Sequence, residues 1–169
     1  MVFLAGVVRG VAEIDNKVFM VFKSSSNIEV YDALMIKRLS VITVEGLEDP
    51  TDIVVCRHDR QLYVAEWDCI WRVSVDDHSY VKWMTTQSSA DRFTVDKLSL
   101  TSRRLLVTSW RPPTLRQYST VDSQLRHIPL PQYVQDLWHA VETTRQTFVV
   151  GHRGTSQDKW QYAVSELFS

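Results

Sequence analysis

One pattern of four short apolar runs returns down the chain about every 42 to 45 residues, and it governs what the chain can fold into. Its clearest copy reads Asp52-Ile-Val-Val, then Leu62-Tyr-Val-Ala-Glu, then Cys69-Ile-Trp-Arg-Val, then Tyr80-Val-Lys-Trp-Met84. First runs begin at Gly10, Asp52, Lys97 and His139, and second runs at Val18, Leu62, Leu105 and Thr147. Third runs begin at Asn27, Cys69, Thr114 and Tyr162, and fourth runs at Arg38, Tyr80 and Leu125. The fourth copy has no fourth run before Ser169. Periods of roughly 40 to 50 residues, with four extended runs in each, indicate propeller blades rather than helical solenoids.

The runs are rich in Val, Ile, Leu, Tyr, Phe and Trp, which suit a pleated and half-buried surface. Second runs are almost continuously apolar, as strands covered on both faces are. In the third run of the second copy, Ile70, Arg72 and Ser74 share one face while Trp71 and Val73 share the other. Polar clusters such as Asp15-Asn-Lys, Arg57-His-Asp-Arg, Thr101-Ser-Arg-Arg and Glu142-Thr-Thr-Arg lie between first and second runs and read as hairpin connections. No window carries a long helical period. The predicted fold is therefore an all-β propeller of four-stranded antiparallel blades. Its blades fall at about 8–47, 48–86, 93–132 and 133–169, with residues 1–7 forming a further strand.

Composition fits one ordinary domain: 44% hydrophobic residues and six tryptophans supply a core, and 23% charged residues supply a surface. A net charge of −1 gives no global attraction to nucleic acid or to an anionic membrane. The opening Met1-Val-Phe-Leu-Ala-Gly-Val-Val lacks a basic leader and is too short to span a bilayer, so a strand is expected there rather than an anchor. Cys56 closes a first run and Cys69 opens a third, too far apart in such a sheet for a disulfide. Two free thiols favour the cytoplasm.

The missing fourth run and the unassigned N-terminal strand are matching deficits. An unpaired edge exposes a row of amide groups, so the last blade is expected to be completed by an N-terminal strand of the same or a second chain. A closed four-blade monomer, half of an eight-blade dimer and a piece of a longer propeller all remain open at this point.

Several of these residues resemble the NHL-type propeller repeat. Pro50-Thr-Asp-Ile-Val-Val resembles its proline-led first strand, Leu62-Tyr-Val-Ala-Glu its second, and Asn27-Ile-Glu-Val-Tyr-Asp its third with the aspartate that follows. Asp68-Cys-Ile-Trp-Arg-Val-Ser, Leu105-Leu-Val-Thr-Ser, His139-Ala-Val-Glu and Val149-Val-Gly-His-Arg resemble an uncharacterised group of invertebrate NHL-like proteins. The resemblance implies a six-blade ring as the usual assembly, which this chain falls short of. It also implies a protein-binding platform, with RNA binding in some members and metal-dependent hydrolysis or lyase chemistry in a few.

In a propeller, the connections between second and third strands emerge on one face. Aligning the repeats puts Lys23, Trp67, Trp110 and His152 at equivalent places there. Two indoles, a lysine and a histidine would make a rim for a protein or peptide, because Trp offers large contact area and one donor. Indoles folded inward as core caps are the plainer alternative. The opposite face carries Lys17, Arg57, Arg60, Arg103, Arg104 and Arg145, which could follow a phosphate backbone. Asp15, Asp59, Asp76, Asp77 and Asp122 on that face offset much of this charge.

Metal and catalytic readings are thinner. His139 and His152 fall near one face, with Glu66 in reach of it, while His58, His78 and His127 fall toward the other. A catalytic zinc takes about three converging ligands, so neither a metal nor another cofactor is expected. No G-x-S-x-G, P-loop or G-x-G-x-x-G occurs, and Ser99 and Ser109 have no base beside them in sequence. The sequence thus predicts a noncatalytic module that binds a protein or peptide, and that associates with itself through blade completion. RNA recognition through the arginine hairpins, or a degenerate metal-dependent enzyme, are the alternatives.

Overall fold

A computed structural model describes residues 6–86, 93–123, 125–143 and 147–153, with the backbone alone of Tyr162–Phe168. Every regular element among them is a β-strand. The first sheet runs β1 (Val8–Ile14), β2 (Lys17–Phe22), β3 (Asn27–Asp32) and β4 (Arg38–Thr43), antiparallel and in chain order. The second repeats this with β5 (Asp52–Cys56), β6 (Gln61–Glu66), β7 (Cys69–Ser74) and β8 (Tyr80–Thr85). The third uses β9 (Lys97–Thr101), β10 (Arg104–Ser109), β11 (Thr114–Ser119) and β12 (Leu125–Ile128). The fourth has three strands: β13 (Gln135–Glu142), β14 (Thr147–Arg153) and β15 (Tyr162–Phe168). Each strand coincides with one of the apolar runs, because short alternating segments broken by polar turns have little else they can form.

The chain divides into two compact units, residues 1–85 and 86–169. In the first, two sheets stack through their inner faces. Phe19 and Val21, Ile28 and Val30, Leu62 and Val64, and Cys69, Trp71 and Val73 belong to one buried cluster. Each pair or trio is spaced by two residues, so a single face of each strand supplies the packing. β6 is buried along nearly its whole length, whereas β4 and β8 are largely exposed. The innermost strands meet tightly. A side chain at Gly10 of β1 would start 2.7 Å from the Ile53 amide nitrogen and 2.8 Å from Asp52 Oδ1.

The second unit has its own core, built from Leu106, Leu115 and Ile128 of the third sheet and Leu137, Ala140, Phe148 and Val150 of the fourth. Ser99 Oγ on β9 donates to the Ala140 carbonyl on β13 at 2.7 Å, tying the two inner strands together.

The N-terminal strand expected over residues 1–7 lies mostly outside the described residues. Of the part that is described, Val7 accepts a hydrogen bond from the Lys23 amide at 2.8 Å and so runs beside β2 in the first sheet. Cys56 and Cys69 are the last residue of β5 and the first of β7, as the repeat register requires, and both are buried free thiols.

Candidate functional site

The β2–β3 and β6–β7 connections of the first unit carry Lys23 and Trp67. Lys23 is exposed beside Ser24, whose backbone adopts a left-handed φ of 55° and whose amide donates to Asp49 Oδ1 at 2.8 Å. Trp67 is 54% exposed in a two-residue turn. What holds that turn is its neighbour. Glu66 Oε1 accepts the amides of Glu48 (2.6 Å) and Asp49 (3.0 Å), and Oε2 accepts Trp71 Nε1 (2.9 Å) and the Cys69 thiol (3.4 Å). Burial pushes the Glu66 carboxyl upward, but these four donors outweigh it and hold the group below the usual carboxylate range. Burial, then the hydrogen bond to Glu66 and the charge of that carboxylate, push the Cys69 thiol up to about 12. Glu66, a possible metal ligand on sequence grounds, thus has both oxygens committed to its own repeat and the segment before it.

In the second unit, Trp110 follows β10 and is 38% exposed. Its amide donates to Asp96 Oδ2 at 2.7 Å, and its ring lies 6.5 Å from that of Trp138, tilted by 53°. The Arg111 guanidinium sits 4.4 Å from the Trp110 ring, within cation–π range. Neither Trp67 nor Trp110 folds inward as a core cap.

His152 is different. It was expected in a connection, but it lies within β14, 2% exposed, with Nδ1 2.9 Å from the Arg153 carbonyl oxygen. The strand register explains the shift. His139 pairs with Gly151 just as Lys97 pairs with Thr108 and Asp52 with Ala65. Gly151 therefore matches Thr108 and Ala65, His152 matches Ser109 and Glu66, and Arg153 matches Trp110 and Trp67. The second run of the fourth repeat is in phase from Phe148, not Thr147. Arg153 is exposed and pairs with Asp136 at 3.3 Å.

The arginines proposed for a nucleic-acid face meet carboxylates of the neighbouring repeat. Arg57 Nη2 lies 2.6 Å from Glu13 Oε2, and Arg60 Nη1 lies 2.6 Å from Asp15 Oδ2. Arg60 also forks onto Asp76, through Nε at 2.9 Å and Nη2 at 2.7 Å. Arg104 Nη1 reaches the buried Glu142 carboxylate at 2.9 Å, where Gln117 Nε2 also donates. Arg103 is half-buried, and Arg145 lies outside the described residues. Of the hydroxyls, Ser99 is bonded to Ala140, and Ser109 is fully buried with Oγ 3.1 Å from Thr94 Oγ1. His58 Nδ1 sits 3.2 Å from Asp59 Oδ1. His78 occupies a hairpin with φ 62°, and His127 and His139 are exposed on β12 and β13. Among the described residues, no three or more His, Cys, Asp or Glu side chains converge as a metal site would need.

Sequence reasoning missed Trp138. Its signal was available: the residues just before the first runs are Arg9, Thr51 and Asp96 in the other repeats, and an indole here is out of keeping.

No family model matches the chain, and no curated protein does. Solved structures do. The computationally designed Ika4 protein aligns with a TM-score of 0.67 at 12% identity, covering 98% of this chain and 94% of that one. A chain of a nidogen–laminin complex aligns at 0.72 and 16% identity, covering 89% and 59%, and the WD40 repeats of RRP9 align at 0.69 and 15%, covering 94% and 48%. This chain spans about half the length of those last two. WD40 repeats are propeller blades. The fold is an all-β one of propeller type.

Proposed function

We propose that this chain is a noncatalytic β-propeller interaction module of the NHL-like kind. It captures a protein or peptide through the connections that follow its second strands. In the first unit Trp67 is the principal contact and Lys23 contributes charge; in the second it is Trp110, with Trp138 and Arg111 extending the surface around it. His152, part of the rim expected from sequence, serves instead as a support beneath it, and Arg153 takes the outer place. The observation that carries this reading is that two indoles at matching positions of two repeats both stay in solvent. An exposed tryptophan contributes little to its own fold but a great deal to an interface, where Trp is enriched among the residues that dominate binding. The propeller neighbours agree with it, one solved in a complex of nidogen with laminin. Two buried thiols without a disulfide suit work in a reducing compartment such as the cytoplasm.

Replacing Trp67 and Trp110 together by alanine is the direct test. The circular dichroism melt should stay within a few degrees of the parent, since surface changes are usually worth about 0.5 kcal/mol or less. Proteins co-purifying with the parent should be lost, as read by quantitative mass spectrometry of both eluates. A collapse of the melt would mean the indoles serve the fold, and unchanged co-purification would mean they serve nothing at the surface.

A further inference from the structure

The hairpins joining third to fourth strands share one construction in three repeats. In the first, Asp32 Oδ1 accepts the amides of Leu34 (2.9 Å) and Met35 (2.7 Å), and the Ala33 amide reaches the Asn16 carbonyl. In the second, Ser74 Oγ accepts the amides of Asp76 and Asp77, and the Val75 amide reaches the Arg60 carbonyl. In the third, Ser119 Oγ accepts the amides of Val121 and Asp122, and the Thr120 amide reaches the Arg103 carbonyl. Each tip then closes through a left-handed residue: Ile36 at φ 51°, His78 at 62° and Ser123 at 56°.

The backbone is thus the same, but the tips are not. Where the second repeat presents Asp76-Asp77-His78 and the third Val121-Asp122-Ser123, the first presents Leu34-Met35-Ile36. These three are 81%, 77% and 52% exposed. The fold does not ask for them, since the other two tips are built without such a run. It is even strained by one of them: a β-branched side chain in the left-handed region is a steric outlier, which Ser or His suffers less. Three large apolar side chains left in water, at a position indifferent to them, point to a use outside the fold.

We propose that this tip is a second docking element. It is a knob that enters an apolar pocket rimmed by carboxylates on a protein partner. Charge around the knob sets the rim. Lys17, Lys37 and Arg38 are exposed beside it, and Arg38 pairs with Glu29 at 3.7 Å. Asp32 is engaged with the tip amides, and Asp15 with Arg60. The exposed side chains that flank the trio in its own hairpin and on the paired strand, Lys17, Lys37 and Arg38, are basic. A bilayer is a poorer match, because three side chains bury little area and Asp76 and Asp77 occupy the corresponding tip of the next sheet. The knob is at the opposite ends of the strands from Trp67, so this surface does not rest on the tryptophan reading.

The test places the photo-reactive residue p-benzoylphenylalanine at position 35 and, as control, at the matching position 77. The expected result is one protein adduct from position 35 and none from 77, with the partner's cross-linked peptide lying in an apolar pocket lined by Asp or Glu. Binding of that purified partner should fall at least about tenfold in the triple exchange L34D/M35D/I36H, the loss typical of removed hot-spot side chains. It should weaken again in K37E/R38E, and survive W67A/W110A. The exchange variant should melt at or above the parent temperature. Equal labelling from both positions, an adduct at twice the chain's own mass, co-sedimentation with phosphatidylcholine–phosphatidylserine vesicles in place of a protein adduct, or unfolding of the exchange variant would each overturn the proposal.

Discussion

Glu66 illustrates how little a residue type says until its partners are known. A carboxylate beside an exposed tryptophan could be a ligand, yet here its oxygens collect two amides, an indole N–H and a thiol. In Glu66→Gln one oxygen becomes an amide nitrogen facing donors. The expected cost is about 1–3 kcal/mol, the range for a buried group left without its partner, measured by urea unfolding at neutral pH. The same bonds fix a pH dependence. The folded chain holds this carboxyl below its unfolded value, so its contribution is full above the ordinary carboxylate range. It fades as acid titrates the folded form, and Glu66→Gln should flatten that part of the acid limb. An acid limb identical in both proteins would remove Glu66 from the account. Trp67 was legible from sequence as a candidate contact, whereas His152 was misplaced by one residue. An unbroken apolar run such as Thr147-Phe-Val-Val contains no mark of its own phase, and a slip of one position exchanges inside for outside.

At the level of the strand, the last inward-facing residue of the second strand meets the segment that leads into its own sheet in the second, third and fourth repeats. Glu66 takes the amides of Glu48 and Asp49, Ser109 meets Thr94, and His152 lies 5.9 Å from the Tyr133 ring. The chemistry differs each time while the task is the same, which is why no motif revealed it. Spacing of the inner strands was equally hidden. Gly10 reads in sequence as an ordinary weak point of a strand, but it is where β1 and β5 touch. Gly10→Ala should destabilise the chain by about 1–3 kcal/mol, the usual result of overpacking, despite the gain that alanine brings by restricting the unfolded state. A melting temperature equal to or above the parent would show that the strands can separate without loss.

At the scale of the molecule, each unit has a core of its own, and among the described residues β15 ends a three-stranded sheet where the other sheets have four. This chain covers 59% and 48% of the two natural neighbours that align with it, and we propose that two copies pair to make up a ring. Static light scattering of the purified chain should accordingly return twice the single-chain mass, through completion of the fourth sheet; a single-chain mass would dispose of the pairing. Among the described residues the order of the strands was determined by the sequence alone, since alternation and turn chemistry act over a few neighbours and repeat four times. Which face of each strand is buried, which carboxylate is a ligand to its own backbone and which tip is spare were decided only by the tertiary structure. Those outcomes depend on a second sheet arriving at a given register, and no single stretch of residues contains that information.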